Sequence, residues 1–513
     1  MTDRLPVLIG VGQFTYRGDP AVSPGPTALL KIAAERAARD AGLGASALAG
    51  IDGLAVAGFA VDAPGDRRPI PRSSNPPQSL ARRLGASPAW SVYSHVGGNT
   101  PQHMINVIAG RIAAGETELA LAVGAEFLGS ATKRLKQGLS FDDWVGEEDQ
   151  DLPAPQRIGD DRPGVSAYEA RHGLVRPINT YPLFENALRA RDGRSIADHQ
   201  ARLGQLFARF TEAAAANPYA WFPVARSADE LVTVSEKNRM VGFPYPKLLN
   251  AIMEVDQSAA VILASEAKAR ELGVPEDKWV YLHGCADAHD LWHVLERQDF
   301  HSSPAMRWTG EQALAMAGIG MDQVAHIDLY SCFPVAVEIG AEELGLSLDD
   351  PRGFTVTGGL PYAGGPGNNY VMHSIAAMAE TLRAQPQSYG LVTANGWYLT
   401  KQSTGVWSAR RPDRPFERQD PAVLQRRIDA LPHPDVIEAP QGRAQIETYT
   451  VVHKRDGPFL GIVVGRDDAG RRFVAHAPND PATLSGLEAG EQVGRPGTVR
   501  PAKLGQTNLF IPD

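Results

Sequence analysis

The chain has 513 residues and a formal net charge of −9 at pH 7. This acidic balance argues against a dedicated nucleic-acid-binding protein, and no run of about 18 apolar residues predicts a membrane span. The only two cysteines, Cys285 and Cys332, lie far apart, and the N-terminal residues lack a signal-peptide layout. No disulfide framework is predicted, and the expected location is a reducing cytoplasm.

The first part of the chain alternates predicted strands and helices. Apolar runs and helical periodicity predict, in chain order, a strand at 7–11, a helix at 24–41, a strand with a turn at 51–60, and a strand followed by a helix at 248–273. Residues 127–244 interrupt this alternation and are rich in Asp, Arg, Pro and aromatic residues. We predict that they form an inserted subdomain with solvent-facing helices, the best of which is 196–215.

A glycine-rich turn, a buried helix and a buried strand are predicted in succession within the first part. Gly97 and Gly98 permit backbone angles that are closed to other residues. Thr100 is a good N-cap, Pro101 suits the first helical position, and Gly115 predicts the end of the helix. Such a turn directs free N–H groups at whatever lies above it, which suits a nucleophile or a bound oxyanion. A glycine-rich corner without a ligand explains the segment equally well.

The second part of the chain repeats this organisation. Its predicted elements are a strand at 279–285, a helix at 311–317, a strand at 327–329 that runs into Y-S-C-F, a helix at 334–344, a glycine-rich turn and helix at 357–383, and a strand at 388–394. The G-G-N-T before the first helix resembles the G-G-P-G-N-N-Y before the later one. We therefore predict two related α/β halves that present their glycine-rich helix starts to a shared site.

The last part of the chain has a different composition. Residues 413–440 are rich in Pro, Arg and Asp and predict a linker. Short predicted strands follow at 445–453, 459–466 and 471–476. They predict a small β-barrel at 441–513, with Arg471 and Arg472 on its solvated face.

Together these patterns resemble the thiolase superfamily over roughly residues 5–412. The similar stretches are the helix ending in G-E before A-V-G-A-E, the segment V-D-Q-S-A-A-V-I-L-A-S-E, the segment H-I-D-L-Y-S-C-F and the loop G-G-L-P-Y-A-G-G-P-G. The branch that the chain resembles most is that of the thiolase-like acetyl-CoA acetyltransferases related to the sterol-carrier or lipid-transfer thiolases. The tail resembles the OB-fold module that elsewhere occurs as a separate partner of thiolase-like aldolases.

The resemblance implies an α/β fold class. We expect a duplicated thiolase fold of two βαβαββ-type halves in five α-β-α-β-α layers, with an inserted loop subdomain and a small C-terminal β-barrel. The expected domains are a first half at 1–282 with its insertion at about 127–245, a second half at 283–412, a linker at 413–440 and an OB-fold-like barrel at 441–513. Thiolases usually dimerise through a sheet edge that an added domain could cover, so a dimer or a monomer is expected.

The chain departs from the catalytic set that the resemblance implies. Thiolases use an elbow cysteine, a histidine in G-H-P, an Asn or His in N-E-A-F or H-D-C-F, and a second cysteine in C-x-G. The matching positions here are Gly98, Gly365, Tyr330 and, approximately, Asn395. Because Gly98 cannot accept an acyl group and no cysteine precedes Cys285, Cys-dependent thiolase chemistry is not expected.

A retro-aldol or aldol reaction on a β-hydroxyacyl-CoA needs an acid, a base and donors to the enolate oxygen, but no acyl-enzyme. Tyr330 and Tyr362 are the candidate acid and base, with His95 beside the turn as a further catalytic candidate. The candidate groups for binding the thioester or its oxyanion are Gly98, Asn99, Asn368 and Asn395. Each of these residues also fits a purely structural role, because a tyrosine can fill space in the core and an asparagine adopts turn conformations readily.

Neither a metal nor a cofactor is expected. His283, Cys285, His289 and His293 have a spacing like that of metal ligands, but they straddle a predicted strand and loop and lack a second cluster. Coenzyme A is expected as part of the substrate. The expected partners are acyl-CoA or CoA and a protein that docks on the C-terminal domain.

Two functional hypotheses follow from the resemblance and the departures from it. The first is a thiolase-like, acetyl-CoA acetyltransferase-like enzyme of lipid metabolism. It would act on acyl-CoA thioesters by carbon–carbon cleavage or formation without a cysteine acyl-enzyme. The alternative is a catalytically silent CoA- or lipid-binding protein, or a subunit that depends on a partner.

Overall fold

The structure, a computed structural model, describes residues 4–63, 65–146, 149–503 and 506–513. The first half and its insertion contain, in chain order, β1 (Pro6–Thr15), α1 (Pro26–Asp40), β2 (Gly53–Val56), α2 (Pro76–Leu84), β3 (Trp90–Ser94), α3 (Thr100–Ala114), β4 (Leu119–Phe127), α4 (Leu128–Gln137), β5 (Arg157–Ile158), α5 (Ala167–Arg171), α6 (Pro177–Arg191), α7 (Ile196–Ala216), α8 (Ala228–Val232), β6 (Met240–Gly242), β7 (Tyr245–Pro246), β8 (Asp256–Ser265) and α9 (Glu266–Glu271). Within the described residues, no helix has the length and apolar character needed to cross a membrane.

The second half repeats the order of four of the five strands of the first, β2-β4-β8-β1. It contains β9 (Val280–His289), α10 (Pro304–Ala317), β10 (Val324–Asp328), α11 (Pro334–Glu343), α12 (Tyr370–Ala384), β11 (Tyr389–Gly396) and β12 (Lys401–Ser408). The spatial orders are β3-β2-β4-β8-β1 and β10-β11-β12-β9. In each half the last strand, β8 or β12, runs antiparallel to both neighbours, whereas the strands beyond it are parallel. The predicted duplication is therefore confirmed.

The two half-sheets enclose an inner layer of helices. Strands β1 and β9 pair at Val7–Tyr281 and Leu8–Val280, which joins the half-sheets into one sheet of ten strands with β5 at its outer edge. Helix α3 packs on β4 and β12, helix α12 packs on β8 and β11, and the two helices contact each other. This arrangement places the starts of α3 and α12 next to each other between the halves.

Local sequence explains where helix α3 begins and ends. Asn99, not Thr100, is its N-cap, and Thr100 is its first residue. The prediction was one residue off because the Thr100 hydroxyl donates backwards to the Gly97 carbonyl over 2.5 Å instead of capping the helix. The helix ends as predicted at Gly115, whose φ of 77° lies in the left-handed region that glycine tolerates.

The insertion is less exposed than its composition predicts. Every residue from Asn179 to Arg189 in α6 is buried, which contradicts the expectation of solvent-facing helices. The reason is its position, because α6 packs against α11 on one side and the C-terminal barrel on the other. The Asn186 side chain, for example, donates to the carbonyls of Phe243 and Tyr449, 3.2 and 2.9 Å away. Helix α7 is amphipathic and closely matches its predicted range.

A closed five-stranded barrel ends the chain, which confirms the predicted β-barrel. Helix α13 (Pro421–Asp429) precedes it, and the barrel contains β13 (Gly442–Lys454), β14 (Gly457–Asp467), β15 (Arg472–His476), α14 (Pro481–Glu488), β16 (Pro496–Arg500) and β17 (Leu509–Pro512). Strand β13 pairs with both β14 and β16, which closes the order β13-β14-β15-β17-β16. The hairpin β6–β7 of the insertion extends the same sheet from β13.

Arg472 does not lie on a solvated face, as the sequence suggested, but is completely buried. Its guanidinium donates to both carboxylate oxygens of Glu447 and to the carbonyls of Leu295, Arg297 and Gln298 in the second half. The sequence could not show this, because the partners lie on a loop distant in the chain. The barrel is thus fixed to the body of the protein by a buried cation.

Candidate active site

The turn between β3 and α3 is held by a side chain from the second half. The Gly97 N–H donates to Asn368 Oδ1 over 2.8 Å, and Asn368 Nδ2 donates to the Gly58 carbonyl over 2.6 Å. The Gly58 N–H in turn donates to the Ser94 hydroxyl over 2.7 Å. Both ends of the Asn368 amide are therefore engaged in joining the halves.

Gly98 forms the apex of this turn, and Tyr330 fills the space above it. A Cβ atom at Gly98 would lie 2.2 Å from Tyr330 Oη and 2.5 Å from the Asn395 carbonyl oxygen. Because interiors are close-packed, no side chain fits at position 98 in this arrangement. The Gly98 N–H has no hydrogen-bond acceptor among the described residues. A tyrosine hydroxyl with a free N–H beside it thus stands where the resemblance places a nucleophile.

Tyr330 follows β10 and is buried. Its N–H donates to Thr393 Oγ1 over 3.0 Å, and its ring meets that of Tyr370 edge-on with the centroids 5.7 Å apart. Its hydroxyl has no hydrogen-bond partner in the described part of the chain. Burial, with Cys332 and Tyr370 adding to it, raises the pKa of Tyr330 well above its usual value. The neutral hydroxyl can donate a hydrogen bond but is a poor base.

Tyr362 lies in the glycine-rich loop before α12 and is buried as well. Its ring packs edge-to-face on Phe207 at a centroid distance of 6.2 Å, and its hydroxyl is buried without a hydrogen-bond partner. Burial raises the pKa of Tyr362 well above its usual value. Among the described residues no hydrogen bond joins it to Tyr330 or to His95. The structure places both tyrosines in the core and in the neutral form.

His95 lies on the side of the turn that faces the insertion. Its backbone N–H donates to the Ile158 carbonyl of β5 over 2.9 Å. Its imidazole is partly buried, and this burial, followed by the charge of Arg157, lowers the pKa of His95. A neutral imidazole can act as a base, but the described residues show no hydrogen bond between His95 and Tyr330.

A tyrosine of the insertion, Tyr181, completes the site and was missed at the level of sequence. Tyr181 Oη accepts a hydrogen bond from Asn395 Nδ2 over 2.9 Å and donates to the Trp397 carbonyl over 2.8 Å. Asn395 Nδ2 also lies 4.0 Å from Cys332 Sγ. Burial raises the pKa of Cys332 to about 12, so its thiol is protonated at neutral pH. Nothing in the sequence distinguishes Tyr181 from the other aromatic residues of the insertion.

The turn between β11 and β12 is strained and packs on the first one. Trp397 and Leu399 both have a φ of 57°, which is uncommon for bulky residues and costs about 1 kcal/mol or more each. Tyr181 helps to hold this conformation, since its oxygen also accepts from the Leu399 N–H over 3.3 Å. A Cβ atom at Gly396 would lie 2.6 Å from Asn99 Oδ1, so the two turns are in direct contact.

The remaining candidate positions differ in what the structure leaves available. Asn99 Nδ2 makes one long hydrogen bond of 3.4 Å to Ser403 Oγ, and Asn99 Oδ1 is buried without a partner. A Cβ atom at Gly365 would lie 3.1 Å from the Ile252 carbonyl oxygen, so a side chain there would require a small shift of its surroundings. The turn between β3 and α3 therefore leaves the Gly98 N–H available to a ligand, whereas Asn368 and Asn395 are engaged in structural hydrogen bonds.

Ligand-type side chains cluster at a place that the sequence did not indicate. Among the described residues, oxygen and nitrogen atoms of Glu185, His199 and Glu338 lie within 4.8 Å of one another, all buried. His199 Nε2 is 2.6 Å from Glu185 Oε1, and Arg194 donates to Glu338 Oε1 over 3.3 Å. Tyr245 donates to the other oxygen of Glu185. The guanidinium of Arg194 already places a positive charge beside the carboxyl groups of this cluster.

Burial favours the protonated form of both carboxyl groups in this cluster. Burial, with Glu185 adding to it, raises the pKa of Glu338 well above its usual value, and burial also raises the pKa of Glu185. Burial lowers the pKa of His199 to about 4, so its imidazole is neutral. The cluster connects α6, α7 and α11, and its hydrogen bonds tie the insertion to the second half.

The repeated half-sheets, the turn that feeds α3 and the closed barrel define a protein of the thiolase superfamily. Residues 423–503 match the family described as thiolase-like protein type 1 additional C-terminal domain. The solved structure of a monomeric SCP2-thiolase like protein type 1 from Mycobacterium smegmatis is 38% identical, with a TM-score of 0.83 and 99% of each chain covered. The chain therefore belongs to the SCP2-thiolase-like proteins of type 1.

More distant solved structures share the fold alone. The Ltp2-ChsH2(DUF35) aldolase is 21% identical with a TM-score of 0.58, covering 81% of this chain and all of that one. An acetyl-CoA acetyltransferase from Syntrophomonas wolfei is 15% identical with a TM-score of 0.54, covering 79% of this chain and 99% of that one. No curated protein matches the sequence.

Proposed function

We propose that this protein binds a coenzyme A thioester at the turn between β3 and α3 and forms no cysteine acyl-enzyme. The observation that carries the proposal is the Tyr330 hydroxyl in the space that a side chain at position 98 would need. A thioester oxygen at the start of α3 would meet the free Gly98 N–H and the positive end of the helix. The name of the similar acetyl-CoA acetyltransferase supports coenzyme A as the carrier, by analogy of fold.

Tyr330 is suited to holding a thioester and not to attacking it. Its neutral hydroxyl lacks a partner, and a hydrogen bond to the thioester oxygen would contribute about 1 kcal/mol. The cysteines do not supply a nucleophile, because both are buried and burial raises the pKa of each thiol. Two free, buried cysteines also fit the cytoplasmic location that we propose.

Carbon–carbon cleavage or formation on a β-hydroxyacyl-CoA is a second candidate function. Its support is the pair of hydroxyls without partners, Tyr330 and Tyr362, because a neutral phenol can protonate an enolate carbon. The raised pKa of both tyrosines makes neither a good base. The base in this mechanism would be His95, whose pKa is lowered.

Calorimetric titration with CoA, acetyl-CoA and longer acyl-CoA esters tests the binding function. Tyr330→Phe is expected to weaken the binding of acetyl-CoA about fivefold and to leave the binding of free CoA unchanged, because it removes one hydrogen bond to the thioester. Tyr398→Phe is the control, since the Tyr398 hydroxyl donates to the Val175 carbonyl and not to any group of the turn between β3 and α3. Equal affinity of wild type and Tyr330→Phe for acetyl-CoA would contradict the proposal.

Turnover assays over a panel of β-hydroxyacyl-CoA esters separate the two functions. Binding without turnover supports the silent thioester-binding protein. Turnover that is lost in both Tyr330→Phe and Tyr362→Phe supports the second function instead.

We infer that the barrel is an OB fold and that the protein is a monomer. The closed order β13-β14-β15-β17-β16, the parallel β15–β17 pair and a helix between the third and fourth strands are the features of that fold. Its attachment through Arg472 makes it a fixed part of the chain, unlike a separate partner. Strand β5 covers the outer edge of β3, and the word monomeric in the name of the Mycobacterium smegmatis protein supports the same oligomeric state.

A further inference from the structure

A cleft of about 300 Å³ opens beside the turn, between the second half and the insertion. Its walls include Asn99, His103, Asp287, His289, Trp292 and Lys401. Neither Tyr330 nor Tyr362 lines it, although Asn99, next to Gly98, does. Nothing in the thioester-binding function accounts for the ionisable side chains in this cleft.

Lys401 is the first residue of β12, directly after the strained turn. Its Nζ donates to the Val96 carbonyl over 3.0 Å and to the Asp160 carbonyl over 2.6 Å. The side chain is buried, and among the described residues it forms no ion pair with a carboxylate. The rings of Trp292 and Trp397 lie 5.6 and 5.7 Å from Nζ.

The charge state of this amine follows from its surroundings. Burial, with the charge of Arg162 adding to it and those of Asp160 and Asp161 opposing it, lowers the pKa of Lys401 to about 8. The cleft's other ionisable walls are His103, Asp287 and His289. A substantial fraction of the amine is therefore neutral and nucleophilic just above physiological pH.

A histidine–aspartate pair faces the same cleft. His103 Nδ1 lies 3.0 Å from Asp287 Oδ1, and Ser403 and Arg418 donate to the same carboxylate, each over 2.6 Å. These partners, His103 foremost, lower the pKa of Asp287 and keep it ionised. The contact of Nδ1 with Asp287 fixes the orientation of the His103 ring. In the described part of the chain, His103 Nε2 has no hydrogen bond.

We propose that Lys401 is a reactive amine that condenses with the carbonyl group of a small aldehyde or ketone in this cleft. The supporting observations are a buried amine without a carboxylate partner among the described residues, the ring of Trp292 and an oriented histidine, all lining one cavity. A cavity of about 300 Å³ fits a carbonyl compound of a few carbon atoms. The proposal does not rest on coenzyme A binding, because neither Gly98 nor Tyr330 lines this cleft.

The condensation balances without any further reactant. The lone pair of neutral Lys401 Nζ attacks the carbonyl carbon, and the amine loses a proton while the oxygen gains one to give a carbinolamine. The nitrogen then expels the hydroxyl group as water, and the products are an imine and one water molecule. His103 Nε2 can accept the proton from the nitrogen and return it to the departing hydroxyl.

Reductive trapping tests the proposal on the full-length protein. The protein is incubated with butanal and sodium cyanoborohydride at pH 8, and the alkylated lysines are located and quantified by peptide mass spectrometry. Lys401 is expected to react at least tenfold faster than the partly exposed Lys31, because a lysine with the usual pKa is less than about 1% neutral at that pH. The rate at Lys401 is expected to reach half of its maximum near pH 8.

Two variants control this experiment. Lys401→Arg keeps donors for the carbonyls of Val96 and Asp160 and is expected to melt like the wild type, yet to lose the rapid phase of labelling. His103→Gln is expected to slow labelling of Lys401 at least threefold without changing which lysine reacts first. Labelling of Lys401 no faster than that of Lys31, or rapid labelling that persists in Lys401→Arg, would overturn the proposal.

Discussion

At the scale of single residues, the site depends on the fit between Gly98 and Tyr330. The absence of a side chain at position 98 and the presence of a bulky ring at position 330 are two parts of one packing arrangement. Both departures from the thiolase pattern, Gly98 and Tyr330, could be identified from the sequence by its resemblance to that family. The contact between the two residues could not be predicted, because it depends on how two turns that are distant in the chain pack together. The engagement of Asn368 and Asn395 by structural partners was hidden for the same reason.

Gly98→Ala is expected to destabilise the protein by about 2–3 kcal/mol, because its Cβ would meet the Tyr330 hydroxyl and the Asn395 carbonyl. Chemical denaturation monitored by circular dichroism measures the loss. The matched control is Gly110→Ala in helix α3, which follows the turn, where no atom outside the adjacent helix backbone lies within 4 Å of a new Cβ. That change is expected to stabilise the protein by about 0.5–1 kcal/mol through helix propensity.

The double variant Gly98→Ala/Tyr330→Phe is expected to recover only part of this loss. It removes the contact with the hydroxyl but leaves the ring carbon at 2.7 Å and the Asn395 carbonyl oxygen at 2.5 Å. Full recovery would show that the hydroxyl alone excludes a side chain at position 98.

Glu338→Gln is expected to stabilise the protein at pH 8 by about 1 kcal/mol or more and to have little effect at pH 4. The raised pKa of Glu338 means that the folded protein keeps a proton that the unfolded chain releases at lower pH. The stability from this group is therefore complete below the unfolded pKa and is lost as the pH rises towards the folded pKa. Urea denaturation between pH 4 and pH 8 measures the difference.

The matched comparison for this prediction is Glu338→Ala. It removes the acceptor for Arg194 and the partner of Glu185, so it is expected to destabilise the protein at every pH. A glutamine variant that loses stability at pH 8 as much as the alanine variant would contradict the raised pKa of Glu338.

At the scale of elements, the two-residue strand β5 is short but covers the outer edge of β3. The Tyr93 N–H donates to the Gln156 carbonyl over 2.8 Å and the His95 N–H to the Ile158 carbonyl over 2.9 Å. The outer edge of β3 is thereby occupied. Long apolar elements were predictable, and α1 at Pro26–Asp40 falls inside its predicted range. Strand β5 was not, because two residues show no periodicity.

The covered edge predicts a monomer in light scattering at micromolar concentration. Replacing residues 155–159 by a flexible Gly-Ser segment of the same length is expected to free the backbone groups of β3 and to produce concentration-dependent self-association. If the wild type itself is a stable dimer, or if the variant stays monomeric at every concentration, β5 does not protect this edge.

At the scale of the whole molecule, the insertion and the barrel pack directly against the thiolase halves. The duplication was predictable from the two glycine-rich helix starts, because each half must form the same turn before its inner helix. The burial of α6 and Arg472 was not, because composition alone cannot show that one element is enclosed between two others. Arg472 is completely buried, whereas the side chain of its neighbour Arg471 is 47% exposed.

Arg472→Met is expected to cost about 3 kcal/mol or more, because it leaves three carbonyls and Glu447 without this donor in a buried interface. Differential scanning calorimetry is expected to show the barrel unfolding before the thiolase halves. The adjacent change Arg471→Met removes a surface ion pair with Asp467 and is expected to cost less than about 1 kcal/mol. A single cooperative transition with unchanged stability in Arg472→Met would show that Arg472 does not join the two parts.

The contact between Gly98 and Tyr330 also determines what a cysteine at position 98 would require. The ring at position 330 would have to be smaller, and that change alone leaves a cavity in the core. The Asn395 carbonyl oxygen would still lie 2.5 Å from the new Cβ, so the strained turn after it would have to move as well. A nucleophilic side chain therefore cannot be placed at this turn by a single substitution without rearranging both turns.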